Sequence, residues 1–144
     1  MELRDYLSPD EYVLALVRNV NIEDGEFRNI AVTNRRIILF KTKQRGLLKK
    51  TEEVSDMRSF FFEGAHRIVL HRREKGIPGK IKWIYVFVGD ATFKIYPGIG
   101  RTSPDNVLTT LIRVFEDLGL QREDKYEDLE DGERNYDITF TFPE

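Results

Sequence analysis

The chain has no cysteine in its 144 residues. That excludes disulfide scaffolds, thiolate metal sites, iron–sulfur clusters and thiol catalysis. Histidine is scarce as well: His66 and His71 are separated by an odd number of positions near one strand and so point to opposite faces. Long apolar runs are missing, and none approaches the roughly 18 residues that a membrane-spanning helix needs. Met1 to Asp10 carries three acids and no apolar run, so no signal peptide is expected there and the expected location is cytoplasmic. What remains is 40% hydrophobic and 33% charged, enough for one domain with its own core and no disulfide or metal staple.

The formal charge of −2 hides a strong asymmetry. Residues 1–27 carry 2 basic and 7 acidic side chains, residues 28–101 carry 17 and 6, and residues 102–144 carry 4 and 12. A basic middle between acidic ends points to an anionic partner, or to neutralisation between segments or subunits.

The patterning is mostly β. A short turn around Ser8-Pro9 leads into a strand through about Val20, and Asn21 to Glu26 is a polar turn. Phe27–Thr33 and Arg36–Phe40 read as a hairpin about Asn34-Arg35. Leu48–Val54, Met57–Phe62 and His66–His71 are further strand candidates. Lys80–Val88 and Ala91–Tyr96 form the clearest hairpin, with apolar residues on both faces of its first arm. Core packing is the expected role of Trp83, Tyr85 and Phe87. A helix follows, with Ser103 or Thr102 as cap, Pro104 in its first turn, a stripe from Val107 to Leu118 and Gly119 as its stop. Gln121 to Asn135 is acidic and nearly without apolar residues, and reads as a mobile linker. Tyr136, Ile138, Phe140 and Phe142 then alternate with polar residues as a terminal strand.

Ile30 to Leu39 (IAVTNRRIIL) resembles the "LTNKRLIL" hairpin of short prokaryotic pleckstrin-homology-like domains, which are related to GRAM domains. Leu7 to Leu14 is similar to the opening of that family, and Lys49 to Ser59 to its "eEvplsdI-xSI" segment. The likeness covers roughly residues 7–118. It implies a mainly β fold with one C-terminal amphipathic helix: a half-open barrel of two near-orthogonal antiparallel sheets over residues 1–119. Residues 120–144 would add an acidic linker and an extra strand as an appendage. It also implies a binding or assembly role without catalysis.

The phosphoinositide site of many eukaryotic pleckstrin-homology domains uses basic residues on the first two strands and their loop. Here Asn21 to Glu26 carries three acids and no Lys or Arg, so that site is not expected. Basic residues gather elsewhere, at Lys41, Lys43, Arg45, Lys49 and Lys50, and again at Arg67, Arg72, Arg73, Lys75, Lys80 and Lys82. Lys80 and Lys82 straddle Ile81 and share a face. These residues are the candidate anion- or partner-binding surface. Tyr136, Ile138, Phe140 and Phe142 are the candidate assembly strand, completing a sheet edge in their own chain or in a neighbour's. Walker-type, EF-hand and Gly-x-Ser-x-Gly patterns all fail. No enzyme activity, metal, cofactor, transmembrane segment or specific nucleic acid is expected. The expected partner is a protein or a second copy, with weak contact to anionic lipid as the alternative.

Overall fold

A computed structural model describes residues 1–23, 25–46, 51–98 and 102–143, and of Arg45 and Thr51 the backbone alone. Nine strands and one helix follow in order: β1 (Val13–Ile22), β2 (Glu26–Thr33), β3 (Arg36–Arg45), β4 (Thr51–Phe61), β5 (Arg67–Lys75), β6 (Lys80–Val88), β7 (Ala91–Ile95), α1 (Pro104–Asp117), β8 (Gln121–Asp128) and β9 (Glu133–Thr141). In hydrogen-bonding terms they make one open antiparallel sheet rather than two, ordered β4-β3-β2-β1-β7-β6-β5-β9-β8.

The join between β1–β4 and the other strands is narrow. β1 has a bulge between Val17 and Val20, where Asn19 takes a φ of 57° and the Asn29 side chain accepts from its N–H at 3.1 Å. A bulge bends its strand and increases the twist. Beyond it β1 meets β7 at the single pair Ile22–Ile95, flanked by Glu23 N–H to Lys94 O at 3.1 Å and Tyr96 N–H to Asn21 O at 2.9 Å. The sheet then curls on itself, so that Phe60 of β4 lies 5.0 Å, ring to ring, from Phe93 of β7.

One apolar cluster fills the space enclosed. β1–β4 contribute Ile22, Ile30, Val32, Ile37 and Leu39, β5–β7 contribute Ile68, Leu70, Ile84, Val86 and Ile95, and β9 contributes Ile138 and Phe140. The helix lays Val107, Leu108, Leu111, Val114 and Phe115 onto it. Its start is as predicted, with Ser103 Oγ accepting from Asn106 N–H at 3.2 Å and Pro104 in the first turn. Gly119, at φ 79°, ends it, and Leu120 N–H closes back on Phe115 O at 3.2 Å. A second, small cluster of Ala31, Ile38 and Phe40 lies on the opposite face, under Leu3 and Leu7. There Glu11 and Arg36 form an ion pair at 2.9 Å with side-chain exposures of 0% and 7%.

Three further expectations change. The two strand candidates between Leu48 and Phe62 are one strand, β4, while 47–50 lies outside the described residues. The supposed mobile linker is strand β8 and a tight turn. Asp131 and Gly132 supply left-handed φ values of 60° and 72°, and Leu129 N–H bonds Glu133 O at 2.8 Å. Its sequence gives no apolar alternation because every β8 residue is exposed. It is held by eight register pairs to β9 and by charge: Arg122 pairs with Glu116 of α1 at 2.5 Å and with Asp124 at 2.8 Å. Third, Ile84, Val86 and Val88 form the core face of β6, and Trp83, Tyr85 and Phe87 face outward, half-buried.

Candidate binding face

Strand parity builds the site. Along β6 the β-branched residues enter the core, so the aromatic residues between them line the outer face. The two-residue turn Gly89-Asp90 sets the register of the β6–β7 hairpin and puts Lys94 opposite Tyr85. On the other side, β5 sets His71 opposite Tyr85 and Arg73 opposite Trp83.

Three cations converge on the one tryptophan: Lys94 Nζ at 4.6 Å from its ring centroid, Arg73 at 5.2 Å and Lys82 Nζ at 5.3 Å. Lys94 is also 4.5 Å from the Tyr96 ring and 4.9 Å from the Tyr85 ring, so its ammonium sits in a box of three aromatic rings. The Tyr96 side chain, helped by Tyr85 and opposed by burial, holds its pKa above the usual lysine range. It therefore stays a full cation at neutral pH. Trp83 Nε1 is buried and meets no acceptor among the described residues. Tyr85 and Phe87 stack at 6.0 Å.

The face changes sign across the seam between β5 and β9. On the β5–β7 side it carries Arg67, Arg73, Lys75, Lys80, Lys82 and Lys94, with no carboxylate among the described residues. On the β8–β9 side it carries Glu123, Glu127, Glu133 and Asp137 against Lys125. The seam is neutralised within the chain. Asp137 pairs with His71, Asn135 Oδ1 accepts from Arg73 at 2.5 Å, and Glu133 takes Lys82 at 2.7 Å. That bond with Lys82 chiefly holds the Glu133 carboxyl below the ordinary carboxylate range. Lys75 stands at the seam itself, opposite Glu133. Away from the seam, Lys80, Lys94, Glu123 and Glu127 form no ion pair among the described residues. Beside Glu127 and Asp137 lies a depression of about 230 Å³.

The basic residues singled out in the sequence do not all meet. Lys41 pairs across to Asp56 on β4, whose carboxyl is held low by its 2.6 Å bond from Arg28 above all. Lys43 is exposed on β3. Lys49, Lys50 and the Arg45 side chain lie outside the described residues. Arg72 turns inward, 4.6 Å over the Tyr136 ring. Lys80 and Lys82 do share the outer side, but through a bulge: the register steps from Arg73–Trp83 to Glu74–Ile81, leaving Lys82 extra and turning Ile81 toward the core.

The terminal strand pairs within its own chain, with β5 over nine register pairs. Ile138 and Phe140 are core residues, Phe142 lies 5.6 Å from the Phe62 ring, and Tyr136 donates to Asp124 at 2.5 Å. Sequence reasoning missed Lys94, Tyr96 and the outward role of Trp83. The aliphatic-against-aromatic parity of β6 and the length of its turn were the signals available.

A larger concavity of about 470 Å³ opens between Asn34-Arg35 and Phe61–Glu63, away from this face, and its guanidinium is already paired with Asp10. Among the described residues no group of three or more His, Asp or Glu side chains is gathered to hold a metal, and no helix is long and apolar enough to cross a membrane. Compared with protein-family models, curated proteins and solved structures, the chain finds no match.

Proposed function

We propose that the chain is a non-enzymatic binding and assembly module of pleckstrin-homology-like architecture, acting through protein–protein contacts made by the outer face of β5–β7. The architectural part draws support from seven antiparallel strands followed by one amphipathic helix, and from a sheet that narrows to one pair at β1–β7 and folds over a shared core. The observation that carries the functional part is the convergence of Lys94, Arg73 and Lys82 on Trp83, with Glu133 as the one carboxylate beside them among the described residues. Cations gathered on a half-buried aromatic surface repel one another, and a carboxylate-bearing partner relieves that repulsion while covering the rings.

Trp83 is the single tryptophan and reports on the face without a label. Dilute protein titrated with poly-glutamate is expected to show a saturable change in Trp83 emission that fades with salt and is weakened in Lys94→Gln. Vesicles of neutral lipid with added phosphatidylglycerol are the comparison. A response to vesicles alone would move the function to anionic membranes, and no response to either would remove the reading.

A further inference from the structure

We infer that the partner of this face is a second copy of the same chain, packed face to face about a two-fold axis. The inference rests on the binding-face reading above and adds the identity of the occupant.

A surface made for an acidic partner needs only the basic side. Here the same outer face continues without a break into an acidic side carried by β8 and β9. The charges without an ion pair stand on opposite flanks, Lys80 and Lys94 on one, and Glu123 and Glu127 with Lys125 between them on the other. The charges nearest the seam are already satisfied within the chain.

Such a face is complementary to itself under one symmetry operation. A two-fold axis lying in the face, along the strands and near the β5–β9 seam, lays the basic flank of each copy over the acidic flank of the other. A two-fold axis across the strands would lay basic on basic, so the charge pattern selects the first. The interface is isologous, as closed dimers require, with each contact made twice. Sheets packed face to face cross at about 30°, which an axis along the mean strand direction accommodates.

The size also fits. Five strands about 4.8 Å apart and about seven residues of about 3.3 Å each make a face near 550 Å² per copy, or about 1,100 Å² in all. That just clears the roughly 1,000 Å² expected of a biological interface and falls below the standard range of about 1,200–2,000 Å², so a weak, reversible dimer is expected. Half-buried Trp83, Tyr85 and Phe87 beside Val69 supply its apolar part, and the charged flanks supply orientation and salt sensitivity.

The test is the mass of the full chain by sedimentation equilibrium, from micromolar to sub-millimolar concentration. At low salt the mass should rise from 17.0 kDa toward twice that value, and high salt should reverse the rise. Trp83 emission should shift to the blue with the same concentration dependence. Lys80→Glu with Lys82→Glu should be monomeric, and so should Glu123→Lys with Glu127→Lys. The two variants mixed should form a one-to-one complex of twice the single-chain mass.

A mass fixed at 17.0 kDa throughout overturns the inference, and so do reversed variants that still self-associate. Circular dichroism checks that both variants fold. If either does not, the concentration and salt dependence of wild-type mass and emission decide alone. A monomer whose Trp83 still responds to poly-glutamate means that the face serves another protein, and the binding-face reading stands. A monomer that responds to single-stranded RNA and not to poly-glutamate makes it a nucleic-acid surface. A monomer that responds to neither removes both readings.

Discussion

Removing the carboxylate of Glu11 should be among the most damaging single changes to this fold. Its side chain is wholly buried and accepts four hydrogen bonds: from Thr33 Oγ1 at 2.6 Å, Arg36 Nε at 2.9 Å, Arg36 Nη2 at 3.1 Å and Ser8 N–H at 3.1 Å. It thereby ties the segment before β1 to the β2–β3 hairpin. Glu11→Gln leaves the guanidinium of Arg36 buried without its counter-charge. Breaking one side of a buried pair costs about 3–5 kcal/mol. With a urea slope of about 2 kcal/mol per M, the midpoint should fall by about 2 M. Pairing Glu11→Leu with Arg36→Met should recover much of that loss, because no charge is left stranded.

Acid gives a second reading of the same group. Burial raises the Glu11 pKa, but the bonds from Arg36, Thr33 and Ser8 and the guanidinium charge lower it further, leaving it below the ordinary 4.5. The carboxylate therefore contributes its full stability above that value and loses it as pH falls through the depressed folded pKa. The gap between wild type and Glu11→Gln should be constant near neutrality and close in acid. Urea titrations monitored by circular dichroism at several pH values measure both effects. A Glu11→Gln loss under about 1 kcal/mol, or a gap that widens in acid, would refute the reasoning.

Three further outcomes follow from the packing. Ending the chain after Leu120 removes Ile138 and Phe140 from the core and bares the edge of β5, so the product should be unfolded or aggregated by circular dichroism and light scattering. Phe115→Ala, in a fully buried site against Phe62 and Phe140, should cost about 3–5 kcal/mol in chemical denaturation. Ser103→Ala loses the cap on Asn106 N–H and should cost about 1 kcal/mol, which Ser103→Asp should avoid.

The sequence was most legible where one force dominates. Helix α1 could be drawn from its cap, stripe and stop, because each is a local signal. The hairpin at Asn34-Arg35 and the alternation of β9 were equally readable. β8 was not, since an all-exposed strand carries no hydrophobic period and owes its existence to β9 and to Arg122. For the binding face, composition pointed to basic residues, but only tertiary pairing sorted them. Arg72 and Arg73 are neighbours in the chain and lie on opposite faces of the sheet. His71 found its carboxylate, Asp137, far along the chain, where no local motif could reveal it. Trp83, Tyr85 and Phe87 look like core residues in isolation, and only the aliphatic residues interleaved with them show which side of the strand is inside.

The position of β9 between β5 and β8 bears on how the protein is made. β5 and β6 leave the ribosome early and can pair at once. The other edge of β5 must then wait for about 50 more residues, or several seconds at about 5–20 residues per second. Throughout that interval Ile68 and Leu70 lack the Phe140 and Ile138 that later lie beside them. The nascent chain thus carries an open, partly apolar strand that is absent from the finished molecule. That transient edge is where a chaperone would bind, or where two growing chains would become entangled.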